Sequence, residues 1–524
     1  MRGKFTLMLL LLILTSCSKD WAGVEPNLDY TYGRQLTHGM IVLGDRLENP
    51  YTTQNMTKAL NSLYPTKADR VDVKTTNLYV RFLPAEEAEY ETLLSLGLNL
   101  TDHPLDYDIA VEGDWYHDPE IPDGKLTWQY AVVPQNFIFP QISYEVIDEC
   151  YIAENDPGTR ADGIDWESVE RQSYILTGNE QLLSQPQSKA SEKCQPSGRI
   201  TIEDKDFNGG KPFGVAGVRV SCNSFVKFCE CHTDRDGYYQ MDKSFASDLR
   251  YRLVFKNDLG FSIGLNLVLV PASVSTLGKS GPEGVNMTVT KDSDDKLFRR
   301  CAVNNTTYDY ISRCNSGDLG ILPPPGGLRI WIFNSLDVSS STMMHHGSIV
   351  RNDLIGSYLG KYASIMEYFL PDLTIGTKDS RSYKDIYLDT SHELAHASHF
   401  AAVGTRYWET YIRYIIESYL KSGGEMYGDG TGTGAGHCEV GEMWAYYLES
   451  KLCKQRYGGS FPALGVSWWF YPQIFRFLDE RGLDQDDIFS VLDEGVTSRD
   501  ILKNSLLVKY PDKREMIEQV FSRY

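Results

Sequence analysis

A short segment, His392-Glu393-Leu394-Ala395-His396, holds the residues of this chain whose types and spacing most directly predict chemistry. Residues four apart lie on one face of an α-helix, so the imidazoles of His392 and His396 can point at the same metal ion. Two imidazole nitrogens suit zinc, and catalytic zinc sites keep one coordination position open. Glu393 follows the first histidine and can accept a proton from a water molecule on the metal. The segment therefore predicts a helix that carries a hydrolytic zinc site, with Glu393 as general base.

A catalytic zinc ion usually has three protein ligands, so a third ligand is expected downstream. The extended pattern that places a glycine and a third histidine after this segment is absent, because His399 stands at the glycine position and Ala402 at the histidine position. We therefore expect His399 beside the metal ligands or at the surface. Two glutamates, Glu439 and Glu442, lie in a stretch of helical period over residues 438–450 and are the alternative third ligands.

These residues resemble the gluzincin group of metallopeptidases, in which a glutamate ligand on a later helix precedes a run of small and aromatic residues. The run Glu442-Met443-Trp444-Ala445 is similar to that motif. The resemblance implies Glu442 as the third ligand, with Glu439, one helical turn earlier, as the alternative. It also implies one zinc ion per chain, a peptide or protein substrate and a zincin-like α+β peptidase domain.

Enzymes of this group usually have a tyrosine or histidine that stabilises the oxyanion formed in the reaction. Tyr446 and Tyr447, on the second ligand helix, and His437, at the end of the glycine-rich run before that helix, are available for this role. For His437 an exposed loop position is the alternative. His399 completes the set of candidates for residues that surround the metal ligands.

Local patterns also predict the elements that must position these residues. Residues 383–390 alternate as a strand does and lead into the first ligand helix. Residues 411–420 have helical period, and the second ligand helix covers residues 438–450. The glycine-rich run 423–436 between them contains no phosphate-binding motif, so we expect a mobile loop at the border of the cleft.

The first 17 residues are typical of a secretory signal. Arg2 and Lys4 give a positive start, residues 5–14 are almost wholly apolar, and Cys17 follows. The segment resembles the signal peptide of bacterial lipoproteins, which implies lipidation of Cys17 and anchoring of the chain in the bacterial cell envelope. Residues 18–20 resemble export signals of some outer-membrane lipoproteins. We therefore expect the outer membrane, with the cell surface as a further option.

Composition limits the partners and the covalent cross-links. The chain has 71 acidic and 51 basic residues and a formal net charge of −20, so it repels phosphate backbones and nucleic-acid binding is not expected. Its 10 cysteines in 524 residues are too sparse for a disulfide scaffold. The disulfide candidates by proximity are Cys301 with Cys314, and Cys222 with either Cys229 or Cys231.

Patterning divides the chain after its signal (residues 1–17) into three parts. Residues 18–195 are expected to form an α+β domain that ends in a polar linker, from about residue 155 to 197. Residues 196–290 alternate with period two and predict a β-sandwich. Within it, the turn Thr233-Asp-Arg-Asp-Gly-Tyr-Tyr239 resembles that of carboxypeptidase regulatory-like domains, which implies a non-catalytic prealbumin-like module. Residues 320–524 hold the metal motif and are expected to form the peptidase domain.

Periodicity predicts individual elements within these parts. In the first part they are helices over 52–64 and 85–96 and strands over 76–84, 98–102, 128–134 and 142–150. In the last part they are strands over 328–333 and 372–376, a helix over 356–370 and three or four helices from 468 to 524. The expected fold class is multidomain α+β, with an N-terminal α+β module, a central β-sandwich and a C-terminal zincin-like peptidase domain.

Together these features predict a membrane-anchored zinc metallopeptidase that hydrolyses peptide bonds with a zinc-activated water and a glutamate general base. The alternative comes from another class of protein. In that case the chain is a surface binding or scaffold lipoprotein whose peptidase domain is degenerate and does not catalyse. Zinc content separates the two, because only the first requires a bound metal ion.

Overall fold

The computed structural model describes residues 39–66, 71–122, 125–160, 163–183, 194–264, 274–334, 339–348, 371–380, 382–422, 427–460 and 468–524. These residues form a mixed α+β structure with several sheets. The predicted signal with Cys17, and the helix predicted over 356–370, lie outside them. In the described part of the chain, no helix has both the length and the apolar character needed to cross a membrane.

The first part of the structure contains a three-stranded antiparallel sheet and three helices. Its elements are β1 (Val42–Arg46), α1 (Thr53–Leu63), β2 (Asn77–Leu83), α2 (Glu87–Ser95), β3 (Tyr107–Val111), β4 (Gln129–Pro134), β5 (Ser143–Cys150) and α3 (Trp166–Leu176). Strand β2 lies between β4 and β5, while β1 pairs with β3. Two helices and three of the four strands predicted for this part are confirmed to within a few residues.

Two other predictions for this part are wrong. The stretch predicted as a strand after α2 forms no strand in the described residues, and Thr101 makes an isolated bridge to Tyr130. The stretch predicted as a polar linker contains α3, because Trp166, Val169 and Ser173 recur at helical spacing and are buried. The residues between them are polar because they occupy the outer face of an amphipathic helix. The average polarity of the segment is therefore similar to that of a linker.

The middle part is built of two packed sets of short strands. Its elements are β6 (Ser197–Ile202), β7 (Phe213–Gly214), β8 (Arg219–Ser224), β9 (Lys227–His232), β10 (Tyr238–Gln240), β11 (Leu249–Val254), β12 (Ser262–Gly264), β13 (Val274–Ser280) and β14 (Met287–Val289). One sheet has the order β10-β6-β14 with β7 paired to β6, and the other has the order β13-β11-β8-β9. The prediction of short strands in this part is therefore confirmed.

The turn before β10 has the tight geometry that the sequence predicts. The Asp234 carboxylate accepts hydrogen bonds from the backbone N–H groups of Asp236 and Tyr238, both at 2.9 Å. Gly237 adopts a φ of 83°, which a residue with a side chain rarely does. The side chain of Asp234 therefore stabilises the turn by accepting hydrogen bonds from the turn's backbone.

The last part contains the remaining sheet and most of the helices. Its elements are α4 (Asp295–Asn315), β15 (Arg329–Phe333), β16 (Ser340–Ser341), β17 (Leu373–Gly376), α5 (Tyr383–Ser422), α6 (Ala435–Tyr457), α7 (Gln473–Asp479), α8 (Gln485–Phe489), α9 (Arg499–Lys509) and α10 (Arg514–Phe521). The sheet order is β12-β15-β17-β16, with β16 antiparallel at one edge. The strands predicted over 328–333 and 372–376 and the helical tail are confirmed.

The strand predicted over 383–390 is wrong, because these residues form the first turns of α5. Tyr383, Ile386 and Tyr387 are buried at the i, i+3, i+4 spacing of a helix. A capping box opens the helix: the Ser382 hydroxyl accepts from the Asp385 N–H at 3.2 Å, and the Asp385 carboxylate accepts from the Ser382 N–H at 3.0 Å. This serine–aspartate spacing was the sequence signal that favoured a helix start.

The middle and last parts share a sheet and a core. The boundary predicted between residues 290 and 320 falls on α4, a largely buried helix. The three-residue strand β12, which precedes that boundary, pairs in parallel with β15. Helix α4 in turn packs against α5, the helix that carries the two histidines. The middle part therefore supports α5 through α4, and the sheet of the last part through β12.

Arg456, near the end of α6, anchors the two ligand helices to the middle part. Its guanidinium carbon lies 3.9 Å from the ring centre of Phe207 and 5.0 and 5.2 Å from the rings of Tyr383 and Tyr387 on α5. It also forms an ion pair of 3.3 Å with Asp204, which is 1% exposed. Such stacked, desolvated cation–π contacts are worth about 2 kcal/mol each at best. They hold the start of α5 beside the end of α6.

The predicted disulfides are absent among the described residues: no bridge joins Cys301 to Cys314, or Cys222 to Cys229 or Cys231. Cys301 and Cys314 lie on the same helix, α4, about 20 Å apart along its axis at 1.5 Å per residue. No disulfide spans that distance. Cys222 faces Cys229 across β8 and β9, and both thiols are buried. Burial raises the pKa of Cys222, which keeps it protonated.

Ion pairs join the first part of the structure to the rest of the chain. In each of these pairs the first part supplies the acidic residue, and the rest of the chain supplies the basic residue. The pairs include Glu91–Arg329, Asp108–Lys279 (3.2 Å), Glu112–Arg250 (3.3 Å), Asp114–Lys296 (2.6 Å), Asp114–Arg300 (3.2 Å), Glu154–Lys227 (2.6 Å) and Glu170–Lys227 (3.0 Å). Lys227 is the most buried of these bases, with its side chain 1% exposed. Burial lowers its pKa, but the charges of Glu170 and Glu154 outweigh burial and raise it above the ordinary value.

We expect Lys227→Met to lower the free energy of unfolding by about 3–5 kcal/mol, because it leaves a buried carboxylate without its cation. Lys74→Met is the matched control: Lys74 pairs with Asp72 at 3.3 Å, and both side chains are 76% exposed. That change should cost about 0–1 kcal/mol. Denaturant unfolding of the two variants measures both. A loss for Lys227→Met no larger than for the control would contradict a stabilising role of this pair.

Candidate metal centre

Two histidines and one glutamate predicted as metal ligands come together where α5 packs against α6. The ligand atoms of His392, His396 and Glu442 lie within 4.8 Å of one another. The two Nε2 atoms of the histidines are 3.2 Å apart. The Glu442 carboxylate oxygens lie 3.6 Å from Nε2 of His392 and 3.7 Å from Nε2 of His396. Three donor atoms from two separate helices therefore converge on one point.

Burial and charge set the protonation of this cluster. The exposed fraction is 4% for His392 and 0% for Glu393, His396 and Glu442. Burial lowers the pKa of both histidines, and that of His396 falls below its ordinary value. For His392, hydrogen bonds to Glu442 and Glu449 outweigh burial and raise the pKa to about 10. Burial raises the pKa of Glu442, but the two neighbouring histidines lower it to about 2.

The donor set fits a zinc ion. Two imidazole nitrogens and one glutamate oxygen are the ligands of a well-known class of catalytic zinc sites. Nδ1 of His392 faces the Glu449 carboxylate at 2.9 Å, so its Nε2 is directed at the cluster. The carboxylates of Glu393, Glu442 and Glu449 all raise the pKa of His392. A divalent cation offsets the negative charge of these buried groups. His392, His396 and Glu442 would hold the ion.

The small-and-aromatic run after Glu442 has a structural role at the contact between the two helices. Trp444 is fully buried, and its indole Nε1 donates a hydrogen bond to the carbonyl oxygen of Ala395 at 3.1 Å. Ala395 lies between the two histidines on α5, and Ala445 on α6 is also fully buried. The small side chains allow the helices to approach closely, and the indole fixes their register.

Helix α5 is interrupted at Gly404, eight residues after His396. The backbone there has a φ of 76° and a ψ of 175°, a conformation that is almost restricted to glycine. The chain therefore turns, and its second half packs back on the first. As a result the rings of Trp408 and Tyr411 lie 5.7 and 5.9 Å from the ring of His396.

Two residues that contact the cluster were not predicted from the sequence. Glu449 accepts a hydrogen bond from His392, and the Tyr411 hydroxyl donates one to the Glu442 carboxylate. Glu449 could have been found: it follows Glu442 by seven residues, two helical turns, so the two carboxylates lie on one face of α6. No local signal identifies Tyr411, because its position depends on the turn of the chain at Gly404.

The structure separates the two alternative third ligands. Glu442 lies in the cluster, while Glu439, one turn earlier, points to the start of α9. There Glu439 accepts a hydrogen bond from the Arg499 backbone N–H at 3.2 Å and lies 3.5 Å from the Arg499 guanidinium. A carboxylate at a helix N-terminus also interacts favourably with the helix dipole. Glu439 therefore belongs to the packing of α9 on α6.

His399 is fully buried, so its predicted surface alternative is wrong. Its ring lies 5.3 Å from the ring of Tyr407 and 5.9 Å from that of Trp408. Neither ring nitrogen has a hydrogen-bond partner among the described residues. Burial lowers the pKa of His399 to about 3, so the imidazole is neutral. It lies one turn beyond His396, outside the group of converging ligand atoms.

The three candidates for oxyanion stabilisation differ in position. Tyr446 is buried, with its ring 4.6 Å from the ring of His392. Tyr447 is directed elsewhere, because its hydroxyl donates to the Asp479 carboxylate at 2.8 Å. His437 lies in the first turn of α6, half-buried against the ring of Tyr407 at 4.4 Å, so the exposed-loop alternative is wrong. Of the three, Tyr446 is the residue beside the cluster.

The described end of the glycine-rich run packs beside the cluster. The hydroxyl of Tyr427 lies 3.5 Å from a Glu442 oxygen. The Tyr427 carbonyl oxygen accepts hydrogen bonds from the Tyr414 hydroxyl at 2.7 Å and the Trp469 indole at 2.9 Å. Residues 423–426, at the start of this run, lie outside the described residues. At Tyr427 the run borders the cluster, while its predicted mobility stays a prediction.

Comparisons with known proteins identify no relative of this chain. No family model matches the sequence. No curated protein matches it either. A crystal structure of (S)-allantoin synthase aligns with 25% of this chain and 50% of that protein, at 14% sequence identity and a TM-score of 0.13. A likeness of that size supports no statement about fold or activity.

Proposed function

We propose that this chain is a zinc-dependent metallopeptidase of the gluzincin type, which hydrolyses peptide bonds at the cluster between α5 and α6. One observation carries the proposal: the ligand atoms of His392, His396 and Glu442 converge within 4.8 Å, from two separate helices. Glu393, the glutamate of the same motif, lies next to His392 in α5 and is fully buried. This combination of three donors and a neighbouring carboxylate is what metal-assisted hydrolysis requires.

Each residue has a separate part in this reaction. When bound, zinc lowers the pKa of a water molecule and polarises the carbonyl group of the peptide bond. His392, His396 and Glu442 bind the ion, and Glu449 orients the His392 ring through its Nδ1 atom. Glu393 accepts the proton of the attacking water and returns a proton to the leaving amine. Tyr446 is the residue proposed to donate a hydrogen bond to the oxyanion.

The proposal extends to the domains and to the location of the chain. Residues 320–524 would be the zincin-like peptidase domain, residues 196–290 a prealbumin-like β-sandwich and residues 18–195 an α+β accessory domain. Residues 1–17 would direct export, and a lipid on Cys17 would hold the chain at the outer membrane of a bacterial envelope. A peptide or protein exposed at that membrane would be the substrate.

One observation favours a second candidate function, a binding or scaffold lipoprotein without catalysis. The exposed fraction is only 0–4% for His392, Glu393, His396 and Glu442, so a peptide chain has no direct contact with them in this conformation. A degenerate peptidase domain would retain such a closed cluster as packing. The two candidates differ in their need for metal, since only the enzyme requires a bound ion for its function.

Metal analysis of the purified full-length chain tests the proposal. We expect about one zinc ion per chain and hydrolysis of an unfolded protein substrate, which a strong chelator removes and added zinc restores. Zinc without hydrolysis of protein, mucin or peptidoglycan substrates would favour the scaffold. A chain that takes up no zinc at micromolar concentration would overturn the proposed function.

A further inference from the structure

Tyr411 contacts the Glu442 carboxylate from outside the cluster. Its hydroxyl donates a hydrogen bond to Oε1 of Glu442. The Tyr411 side chain is fully buried, and its ring lies 4.9 Å from Trp408 and 5.9 Å from His396. On the other oxygen of Glu442, the Tyr427 hydroxyl is more distant, at 3.5 Å. Oε1 is therefore the oxygen that the protein holds firmly.

This contact requires the interruption of α5. His396 and Tyr411 are 15 residues apart in sequence, which corresponds to about 22 Å along an unbroken helix. Their rings are instead 5.9 Å apart, because the chain reverses at Gly404. One helix with a glycine break thus supplies both imidazole ligands and the hydroxyl that contacts the third ligand.

A hydrogen bond of this kind controls orientation as well as energy. A glutamate side chain has three rotatable bonds, and a carboxylate has two equivalent oxygens, so an unrestrained Glu442 can present several geometries. A hydrogen bond from a neutral donor to a buried carboxylate is charge-assisted and strong. Ligand carboxylates held in this way bind metal more tightly, because less side-chain freedom is lost on binding.

We infer that Tyr411 is a positioning residue for the metal centre, which fixes the Glu442 carboxylate in the orientation that binds a divalent ion. The inference rests on the proposed metal site and deepens it, since it assigns a role to a residue outside the metal motif. Tyr411 does not touch the metal or the substrate. It acts through Glu442, so its removal changes metal affinity and the ligand field of a bound ion.

Tyr411→Phe in the full-length chain tests this role against Tyr407→Phe. Tyr407 lies one turn earlier on the same helix, is equally enclosed, and donates to the Val496 carbonyl oxygen at 3.2 Å, away from the cluster. Competition with a chromophoric chelator gives the dissociation constant for zinc. We expect Tyr411→Phe to raise it roughly 10- to 100-fold. For Tyr407→Phe a change of about twofold or less is expected.

The visible absorption spectrum of the cobalt(II)-substituted chain gives a readout that does not depend on activity. We expect the d–d bands to shift in Tyr411→Phe and to stay unchanged in Tyr407→Phe. In a Glu442→Gln background, Tyr411→Phe should alter zinc affinity by about twofold or less, because the two residues act as one unit. Tyr411→Gln, which keeps a donor, should recover part of the affinity and serves if the phenylalanine variant does not fold.

The outcomes separate this inference from the proposed function. If the unmodified chain binds no zinc, the proposed function fails and Tyr411 has no metal ligand to position. If the unmodified chain binds zinc, and Tyr411→Phe matches Tyr407→Phe in affinity and cobalt spectrum, the metal site stands and the positioning role is overturned.

Discussion

Replacing Glu393 by glutamine is expected to reduce the turnover of a peptide substrate by roughly 10²- to 10⁴-fold while zinc stays bound. Glutamine has nearly the shape of glutamate but cannot accept a proton, so it removes the general base and little else. Glu393 is outside the group of ligand atoms, and its side chain is fully buried in α5. The three ligands should therefore keep their places. Steady-state kinetics and metal analysis of the same preparation measure the two effects separately.

The matched control for this variant is Glu417→Gln. Glu417 lies on the second half of α5, is 46% exposed and pairs with Lys421 at 3.3 Å. Its replacement should leave turnover and zinc content unchanged, since an exposed i, i+4 pair contributes only about 0.3–0.5 kcal/mol. Wild-type turnover in Glu393→Gln would remove this residue from the mechanism. Loss of zinc in that variant would instead mean that Glu393 helps to bind the metal.

The pair of histidines could be predicted because the information is local. A spacing of four residues places His392 and His396 on one helical face whatever surrounds the helix. The third ligand depends on how α5 and α6 pack, so the sequence alone left Glu439 and Glu442 open. Two turns of helix separate Glu442 from Glu449, and this shared face is the one additional local signal for the cluster.

Residues whose position depends on long-range geometry could not be predicted. Tyr411 lies in a stretch that was correctly predicted as helical, but helical period gives no direction for the chain after Gly404. The glycine inside a helical pattern was the only sign of a break, and such glycines are often tolerated without one. The same limit explains β12, a three-residue strand whose pairing with β15 joins two parts of the chain that composition had separated.

Two errors in secondary structure arose where side-chain polarity and helix capping disagreed. Residues 383–390 alternate in polarity, but Ser382 and Asp385 form a reciprocal cap that starts a helix. In the stretch taken as a linker, Asp165 caps α3 in a similar way by accepting from the Ser168 N–H. In both cases the cap, a specific backbone interaction, was better evidence than the average polarity of the segment.

Two alanine substitutions on one helix distinguish the ligand from its neighbour. Glu442→Ala is expected to weaken zinc binding by more than about 100-fold, because the loss of a direct ligand exceeds the roughly 10- to 100-fold effect of residues that only orient ligands. Glu439→Ala should keep zinc, since that side chain contacts Arg499 at the start of α9. It should lower the free energy of unfolding by about 1–3 kcal/mol, because it leaves the Arg499 N–H without its acceptor.

Two measurements are made on both variants: the zinc content after dialysis, and the free energy of unfolding by denaturant. The two variants are expected to differ in opposite ways. Glu442→Ala should lose metal, and Glu439→Ala should lose stability in the metal-free as well as the zinc-bound chain. The comparison is internally controlled, because both changes remove a buried glutamate from α6 one turn apart. Retention of zinc in Glu442→Ala together with its loss in Glu439→Ala would mean that α6 binds the metal in another register, with its face turned by about 60°.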